Sequence, residues 1–172
     1  MLRIARALPL LCVGQAGCSL VLDFSSSAIP IDAGPDAPAT AEECMFAEPN
    51  DSFAMAVDLP VTSVGPGAIC ASGFDDHDFY KIAVPAATAT MTIQISFINS
   101  QSGDLDLYLY DAAGTQISLS VGTSDNEKIT CPGASPSCSL ASPIPEGNYV
   151  FEVRGGVSGS QNRYDIAVTL TQ

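Results

Sequence analysis

The stretch Met91-Thr92-Ile93-Gln94-Ile95-Ser96-Phe97 decides the fold class of this chain. Large apolar side chains alternate with polar ones along it, which is the period of a β-strand with one buried face. The same alternation recurs at residues 105–109, 149–153 and 164–170. The pattern therefore predicts β-structure from Cys44 onward, with shorter strand candidates at residues 68–71, 79–84, 116–121 and 128–131.

Turn-forming clusters separate these strands, among them Ala112-Ala113-Gly114, Pro145-Glu146-Gly147-Asn148 and Gly155-Gly156. No long stretch has a helical period, and residues 52–59 favour at most a turn or two of helix. About eight or nine short strands with turns at regular intervals are typical of two packed antiparallel sheets. We therefore predict an all-β antiparallel β-sandwich.

Length and charge narrow the class of protein. The chain has 172 residues, which suits a single folded domain with a substantial core. Its 19 acidic and 6 basic residues give a net charge of −13, which repels phosphate backbones and anionic lipid headgroups. We therefore expect no nucleic-acid partner.

The N-terminus has the pattern of a secretory signal. Arg3 and Arg6 precede the apolar run from Ala7 to Val13, which is too short to span a bilayer as an ordinary transmembrane helix. We expect residues 1–17 to be a signal peptide and residues 18–43, rich in Pro, Ala and Asp, to form a flexible tether. The folded domain then comprises residues 44–172 and is exported.

Two small residues, Ala16 and Gly17, stand directly before Cys18. The segment resembles the lipobox of bacterial lipoproteins, which implies that Cys18 is lipidated and anchors the protein to the bacterial envelope. Gln15 departs from that pattern, in which an aliphatic residue is usual, so ordinary cleavage and secretion are the alternative. Any contact with a membrane would come through the lipid alone.

Four further cysteines lie after the tether. Export favours their pairing as disulfides, and of the three pairings we favour Cys44 with Cys70 and Cys131 with Cys138. The second pair encloses a loop rich in proline, glycine and serine, where the chain must turn. A zinc site is the alternative, but no cysteine pair has the spacing of a zinc site and His77 is the single histidine.

Several motifs occur in the order seen in bacterial pre-peptidase C-terminal domains, and residues 44–172 as a whole resemble one such domain. The resemblance implies a jelly-roll-like β-sandwich of a kind that commonly follows secreted peptidases and serves their export, solubility or attachment to substrate. The tether is too short to contain a peptidase, so we expect the accessory domain to stand alone. The motifs are Glu48-Pro49-Asn50-Asp51-Ser52 with an alanine following at Ala54 or Ala56, Asp78-Phe79-Tyr80, Asp104-Leu105-Asp106-Leu107-Tyr108-Leu109-Tyr110-Asp111, Gly114, and Gly147-Asn148-Tyr149-Val150-Phe151-Glu152-Val153.

The resemblance also implies a calcium site. Related collagen-binding modules of clostridial collagenases hold calcium with a Glu-x-Asn-Asp segment and two acids at the start of the next strand. Carboxylate and amide oxygens of this kind are the ligands that Ca²⁺ prefers. Phe46 stands where those modules have a further glutamate, and the alternative is that these side chains cap a turn or lie solvated in a loop. The matching positions in this chain are Glu48, Asn50, Asp51, Asp75 and Asp78.

A second candidate surface lies on the strand predicted at residues 105–109. Asp104, Asp106, Tyr108 and Tyr110 alternate with leucines, so they share the strand face opposite the core. Two phenols beside two carboxylates suit the binding of a peptide or a glycan. The alternative is a solvated strand face without a ligand.

The sequence contains no catalytic constellation. A Ser-His-Asp system would have to use His77, and no Gly-x-Ser-x-Gly motif presents a serine. We therefore expect a non-enzymatic, exported accessory module that attaches to extracellular protein or polysaccharide, with calcium as its cofactor. The alternatives are a structural or assembly component of the envelope without a ligand of its own, and an accessory domain that assists a secreted peptidase encoded elsewhere.

Overall fold

The structure, a computed structural model, describes residues 44, 48–61, 64–70, 76–99, 103–157 and 159–172. The predicted signal peptide, Cys18 and the predicted tether lie outside these residues. Within them the chain forms eleven strands and one turn of 3₁₀ helix, Phe53–Met55. None of the helical structure in these ranges is long and apolar enough to cross a membrane.

The strands follow one another at short intervals and assemble into two larger sheets and a small hairpin. They are β1 (Val57–Leu59), β2 (Val64–Ile69), β3 (His77–Val84), β4 (Thr90–Ser96), β5 (Leu105–Asp111), β6 (Gln116–Ser120), β7 (Asn126–Cys131), β8 (Gly133–Ala134), β9 (Ser137–Cys138), β10 (Gly147–Gly155) and β11 (Asn162–Thr171). The five-stranded sheet has the order β1-β3-β10-β5-β6, the four-stranded sheet has the order β2-β11-β4-β7, and β8 pairs with β9. Every pairing is antiparallel except that of β1 with β3, which is parallel.

The two larger sheets enclose the core between their inner faces. The alternating apolar residues of β4 and β5 point into it, and Ile93, Ile95 and Leu107 are fully buried there. Phe151 on β10 stacks on Tyr80 of β3 at a centroid distance of 5.2 Å within the same core. The predicted all-β sandwich is confirmed.

The strand count exceeds the predicted eight or nine because three strands were not anticipated. β1 has three residues, and β8 and β9 have two each, which is too short for an alternating pattern to emerge. Residues 52–59, where the sequence favoured at most a turn or two of helix, contain the 3₁₀ turn and then β1.

Two disulfides reinforce the sandwich. They join Cys44 to Cys70 and Cys131 to Cys138, the same pairs that the sequence favoured. The second bridge closes the segment that forms the β8–β9 hairpin. The first joins Cys44, which precedes β1, to Cys70, the residue that follows β2.

The chain enters the sandwich at one end and leaves it at the other. The backbone N–H of Phe79, near the start of β3, donates to the carbonyl of Asn50 at 3.0 Å. Thr171, at the end of β11, pairs with Thr90 at the start of β4, and its carbonyl accepts from Ala89 N–H at 2.7 Å in the loop that joins β3 to β4. The start of β3 and the end of β2 share the first end with Asn50, and we call it the acidic end.

Candidate cation site

The segment that leads into the sandwich, residues 48–55, is fixed along its length and is called the leading segment below. Near its beginning, Asn50 is fully buried and its backbone N–H donates to Glu48 Oε2 at 3.0 Å. Toward its end, the Phe53 ring packs edge-on against Phe79 at 6.5 Å and Tyr110 at 6.2 Å between centroids. Since the Asn50 carbonyl also accepts from Phe79 N–H, the leading segment is held at both ends against the five-stranded sheet.

Three carboxylates meet where the leading segment passes the start of β3. One oxygen each from Glu48, Asp51 and Asp76 lies within 4.8 Å of the others. Ca²⁺ binds its oxygens at about 2.3–2.6 Å, so two ligands on opposite sides of the ion are about 5 Å apart. The trio of Glu48, Asp51 and Asp76 therefore has a spacing that one such ion can span.

Asp76 is held in place by the backbone of Cys70, the residue that follows β2. Its Oδ2 accepts a hydrogen bond from the Cys70 N–H at 2.6 Å. Burial raises the pKa of Asp76 to about 6, and the neighbouring Glu48 and Asp51 carboxylates add to the rise. Without a cation, Asp76 therefore takes up a proton at a higher pH than an exposed aspartate does.

Asp78, the second residue of β3, lies deeper than the trio and follows Asp76 by two positions. It is 2 % exposed, and its Oδ2 accepts a hydrogen bond from the Tyr164 hydroxyl, which also contacts the Tyr80 hydroxyl at 2.9 Å. Burial raises the pKa of Asp78 to about 8, and the carboxylates of Asp76 and Glu48 contribute. In the absence of a cation the buried acid is therefore mostly protonated at neutral pH.

The Asn50 side chain bridges the trio and Asp78. Its hydrogen-bond partners require the amide nitrogen to face Asp78 Oδ1 at 3.1 Å and Glu48 Oε2 at 3.0 Å. The amide therefore serves as a donor that holds two carboxylates, and rotation about its last side-chain bond would be needed to present its oxygen to an ion.

The structure groups the predicted ligands differently from the motif. Glu48 and Asp51 come together with Asp76, while Asn50 and Asp78 lie adjacent and Asp75 lies outside the described residues. Asp76 was absent from the predicted set. The alternation of β3 is the sequence feature that indicates it, because residues two apart share a face of a strand and Asp76 precedes Asp78 by two positions.

The second predicted surface is largely occupied by the domain's own side chains. Tyr108 is 9 % exposed because the Arg154 guanidinium lies 3.9 Å from its ring centroid. Its hydroxyl donates to Asp106 Oδ2 at 3.2 Å. The sequence placed this face correctly opposite the leucines but had no feature that indicated the cover from β10.

The remaining members of that surface are engaged as well. The Tyr110 hydroxyl donates to Glu152 Oε2 at 2.6 Å, and the other oxygen of this buried carboxylate lies 2.6 Å from His77 Nδ1. Asp104 Oδ1 accepts from Asn99 Nδ2 at 3.1 Å. The single histidine therefore belongs to a hydrogen-bonded network on the outer face of the sheet.

Fold and site together define the class of protein. Two disulfides in a small all-β domain are typical of oxidising compartments, which indicates an extracellular or envelope location. Oxygen donors gathered at one end of the sandwich define a candidate site for a hard cation.

Comparison with known families finds one match. Residues 76–155 match the family model of the bacterial pre-peptidase C-terminal domain, the family that the motifs predicted. Such domains are non-catalytic accessory domains associated with secreted proteases.

Comparison with solved structures finds several to which this chain is similar. The pre-peptidase C-terminal domain of a collagenase from Bacillus anthracis is 11% identical, with 66% of this chain and 94% of that chain covered and a TM-score of 0.49. PliG of Aeromonas hydrophila, a periplasmic inhibitor of g-type lysozyme, is 17% identical over 67% of this chain and 96% of that chain, with a TM-score of 0.40. FlgD of P. aeruginosa is 14% identical over 64% of this chain and 76% of that chain, with a TM-score of 0.33. No curated protein matches the sequence.

Proposed function

We propose that this is a non-catalytic, exported accessory module whose leading segment is held by one calcium ion. Glu48, Asp51 and Asp76 would bind the ion, with Asp78 and Asn50 supporting them. The observation that carries the proposal is the convergence of three carboxylate oxygens within 4.8 Å of one another. The ion would neutralise carboxylates that lie close together.

The donor set fits a hard cation of flexible geometry. Ca²⁺ takes about six to eight oxygen ligands, of which three carboxylates can supply several, while backbone carbonyls and water supply the rest. Asp76 is already oriented by Cys70 N–H, and Glu48 is oriented by Asn50 N–H. Because one of the three carboxylates is exposed, we expect weak affinity, on the order of 10⁻⁴–10⁻³ M, as in other extracellular modules.

Thermal unfolding in chelator and in calcium tests the site. At about ten times the dissociation constant, binding stabilises by about 1.4 kcal/mol, so the melting temperature should rise by about 4 °C. Asp76→Asn should abolish most of this rise, whereas Asp165→Asn, a matched change at an exposed residue of β11, should leave it intact. An unchanged melting temperature in the native domain, or an equal rise in Asp76→Asn, would contradict the proposal.

The proposal extends to attachment. A calcium-stiffened module without catalytic groups would attach to extracellular protein or polysaccharide, and lipid on Cys18 would tether it to the envelope. Pull-down on collagen and on insoluble glycans tests the first part, and a clean negative argues against it. The mass of the mature N-terminus tests the second, since an unmodified Cys18 in the mature protein would exclude the lipid.

A structural component of the envelope without its own ligand is the second candidate. It is favoured by the state of the Tyr108 and Tyr110 hydroxyls, which already donate to Asp106 and Glu152. A ligand on this face would have to displace Arg154 from the Tyr108 ring. Failure of every attachment assay with normal calcium binding would support this candidate.

A further inference from the structure

We infer that the Cys44–Cys70 disulfide assembles the cation site, so that the domain acquires its affinity for calcium only after these two thiols have been oxidised. The inference rests on the proposed calcium site and adds a regulation of it. It concerns this bridge and not Cys131–Cys138.

The site has two halves, one with Glu48 and Asp51 and the other with Asp76, and the Cys44–Cys70 bond is connected to both. Cys44 precedes Glu48 by four positions, so the bridge fixes the chain just ahead of the leading segment. Cys70 lies on the other side of the bond, and its own backbone N–H donates to Asp76 Oδ2 at 2.6 Å. The disulfide thus connects the chain just ahead of Glu48 and Asp51 to Cys70, the residue that orients Asp76.

The bond also opposes a repulsion that the site itself creates. Glu48 and Asp51 bring negative charge to Asp76, and like charges at this distance disfavour the closed arrangement until a cation arrives. Noncovalent contacts also hold the leading segment: the Asn50 carbonyl accepts from Phe79 N–H, the Asn50 amide donates to Asp78 Oδ1, and the Phe53 ring packs against Phe79 and Tyr110. Linking residues that are 26 positions apart removes much of the chain entropy that would otherwise favour separation of the two halves.

The oxidation balances with a disulfide donor of the kind found outside the cytosol. The Cys44 and Cys70 thiols give up two electrons and two protons, the S–S bond forms between them, and the donor's disulfide is reduced to a dithiol. In a reducing compartment the reverse exchange restores the two thiols, and the covalent link between the two halves of the site is lost. The site is then incomplete until the protein reaches an oxidising compartment.

A pair of double variants tests the inference by calcium titration calorimetry. Cys44→Ser with Cys70→Ser should bind calcium about 10- to 100-fold more weakly than the native domain, a loss typical of removing an outer support of a metal site. Cys131→Ser with Cys138→Ser is the matched control and should bind with native affinity, because that bridge does not contact the site. Circular dichroism of both variants checks that the sandwich is intact.

Equal calcium affinity in folded Cys44→Ser/Cys70→Ser and native protein would overturn the inference while leaving the calcium site standing. No calcium binding by the native, oxidised domain would instead overturn the proposed function and the inference with it. These two failures are therefore distinguishable.

A second measurement uses the native protein alone and applies even where the variant does not fold. Because linkage is reciprocal, calcium should raise the dithiol-to-disulfide ratio needed to reduce Cys44–Cys70 by the same factor by which the bridge strengthens calcium binding. Alkylation and mass spectrometry report each bridge separately, and the Cys131–Cys138 bridge should not respond. A response of both bridges, or of neither, would overturn the inference.

Discussion

Tyr164 links the acidic end of the sandwich to its core. The residue is 2 % exposed, and its hydroxyl lies between Asp78 Oδ2 and the Tyr80 hydroxyl. Burial raises the pKa of Tyr164 well above its usual value, and the charge of Asp78 adds to this, so the phenol stays a donor. The buried acid thereby has a partner that the core supplies.

Tyr164→Phe should therefore destabilise the domain. It leaves buried oxygens of Asp78 and Tyr80 without their partner, which costs about 1–3 kcal/mol. Urea unfolding in chelator measures this loss. Tyr108→Phe is the control, because its hydroxyl bonds to the half-buried Asp106 at 3.2 Å and its removal should cost about 0.5 kcal/mol. Equal losses in the two variants would contradict the role assigned to Tyr164.

Single residues show how far the sequence could predict the site. The motif located Glu48 and Asp51 in the leading segment, because their order along the chain is a local property. The motif indicates Asp75 as a calcium ligand. The alternation of β3, continued back to the residue before the strand, indicates Asp76 instead. The Cys70 N–H that orients Asp76 belongs to the residue after β2, and no spacing in the sequence indicates this contact.

β2 shows how one element is shaped by a neighbour. It lies at the edge of the four-stranded sheet beside β11, and Gly67 pairs with Tyr164 across the two strands. A Cβ at Gly67 would lie 2.4 Å from Tyr164 Cζ. The glycine therefore leaves room for the ring whose hydroxyl reaches Asp78.

Gly67→Ala should destabilise the domain by about 1–3 kcal/mol, because the added methyl group overpacks a ring that cannot retreat from the core. Gly65→Ala in the same strand is the matched control, since a Cβ there meets nothing within 4 Å. We expect that variant to be neutral or slightly stabilised. Comparison of the urea midpoints measures both effects, and similar midpoints for the two variants would show that the Tyr164 ring can shift.

At the scale of elements, long strands were predictable and short ones were not. β4 and β11 alternate between buried and less buried positions along most of their length, so the alternation reports which face is buried. β5 and β10 are long enough to be predicted as strands, but both of their faces are buried near Tyr108 and Glu152. β1 has only three residues, and its parallel pairing with β3 depends on the anchoring of the leading segment, which is a tertiary effect. The two-residue strands of the hairpin β8–β9 lie within the segment that the Cys131–Cys138 bridge closes.

The whole molecule is strongly acidic, and its stability should depend on pH in an unusual direction. The pKa values of Asp76, about 6, and Asp78, about 8, exceed the usual 3.8, so the folded state binds their protons more tightly than the unfolded state. Their contribution to stability is complete below about pH 4 and is lost as the pH rises through 6 and then 8.

In chelator, the melting temperature should therefore fall between about pH 5 and pH 8. Calcium should oppose the fall, because its ligands bind as deprotonated carboxylates and binding strengthens as the pH rises. Asp78→Asn in chelator separates this effect from general charge repulsion, since the neutral amide should flatten the upper part of the profile. A melting temperature in chelator that rises over this range would contradict the assignment.

On the outer face of the five-stranded sheet, the covering of the tyrosines could not be predicted from the sequence. Alternation predicted Tyr108 and Tyr110 on that face, and they are there. Their partners Arg154 and Glu152 lie on β10, more than forty positions along the chain, and the register of β5 with β10 brings them together. Whether a strip of tyrosines is open or already covered depends on that long-range pairing.

The leading segment and Thr171 lie at opposite ends of the sandwich, and this placement has a mechanical consequence. A pull between the leading segment and Thr171 would act roughly along the strands, and β11 lies between β2 and β4 with ladders on both sides. Interstrand hydrogen bonds run perpendicular to antiparallel strands, so tension would shear whole ladders at once instead of opening them one bond at a time. A domain whose chain enters and leaves at opposite ends would therefore resist tension along its strands.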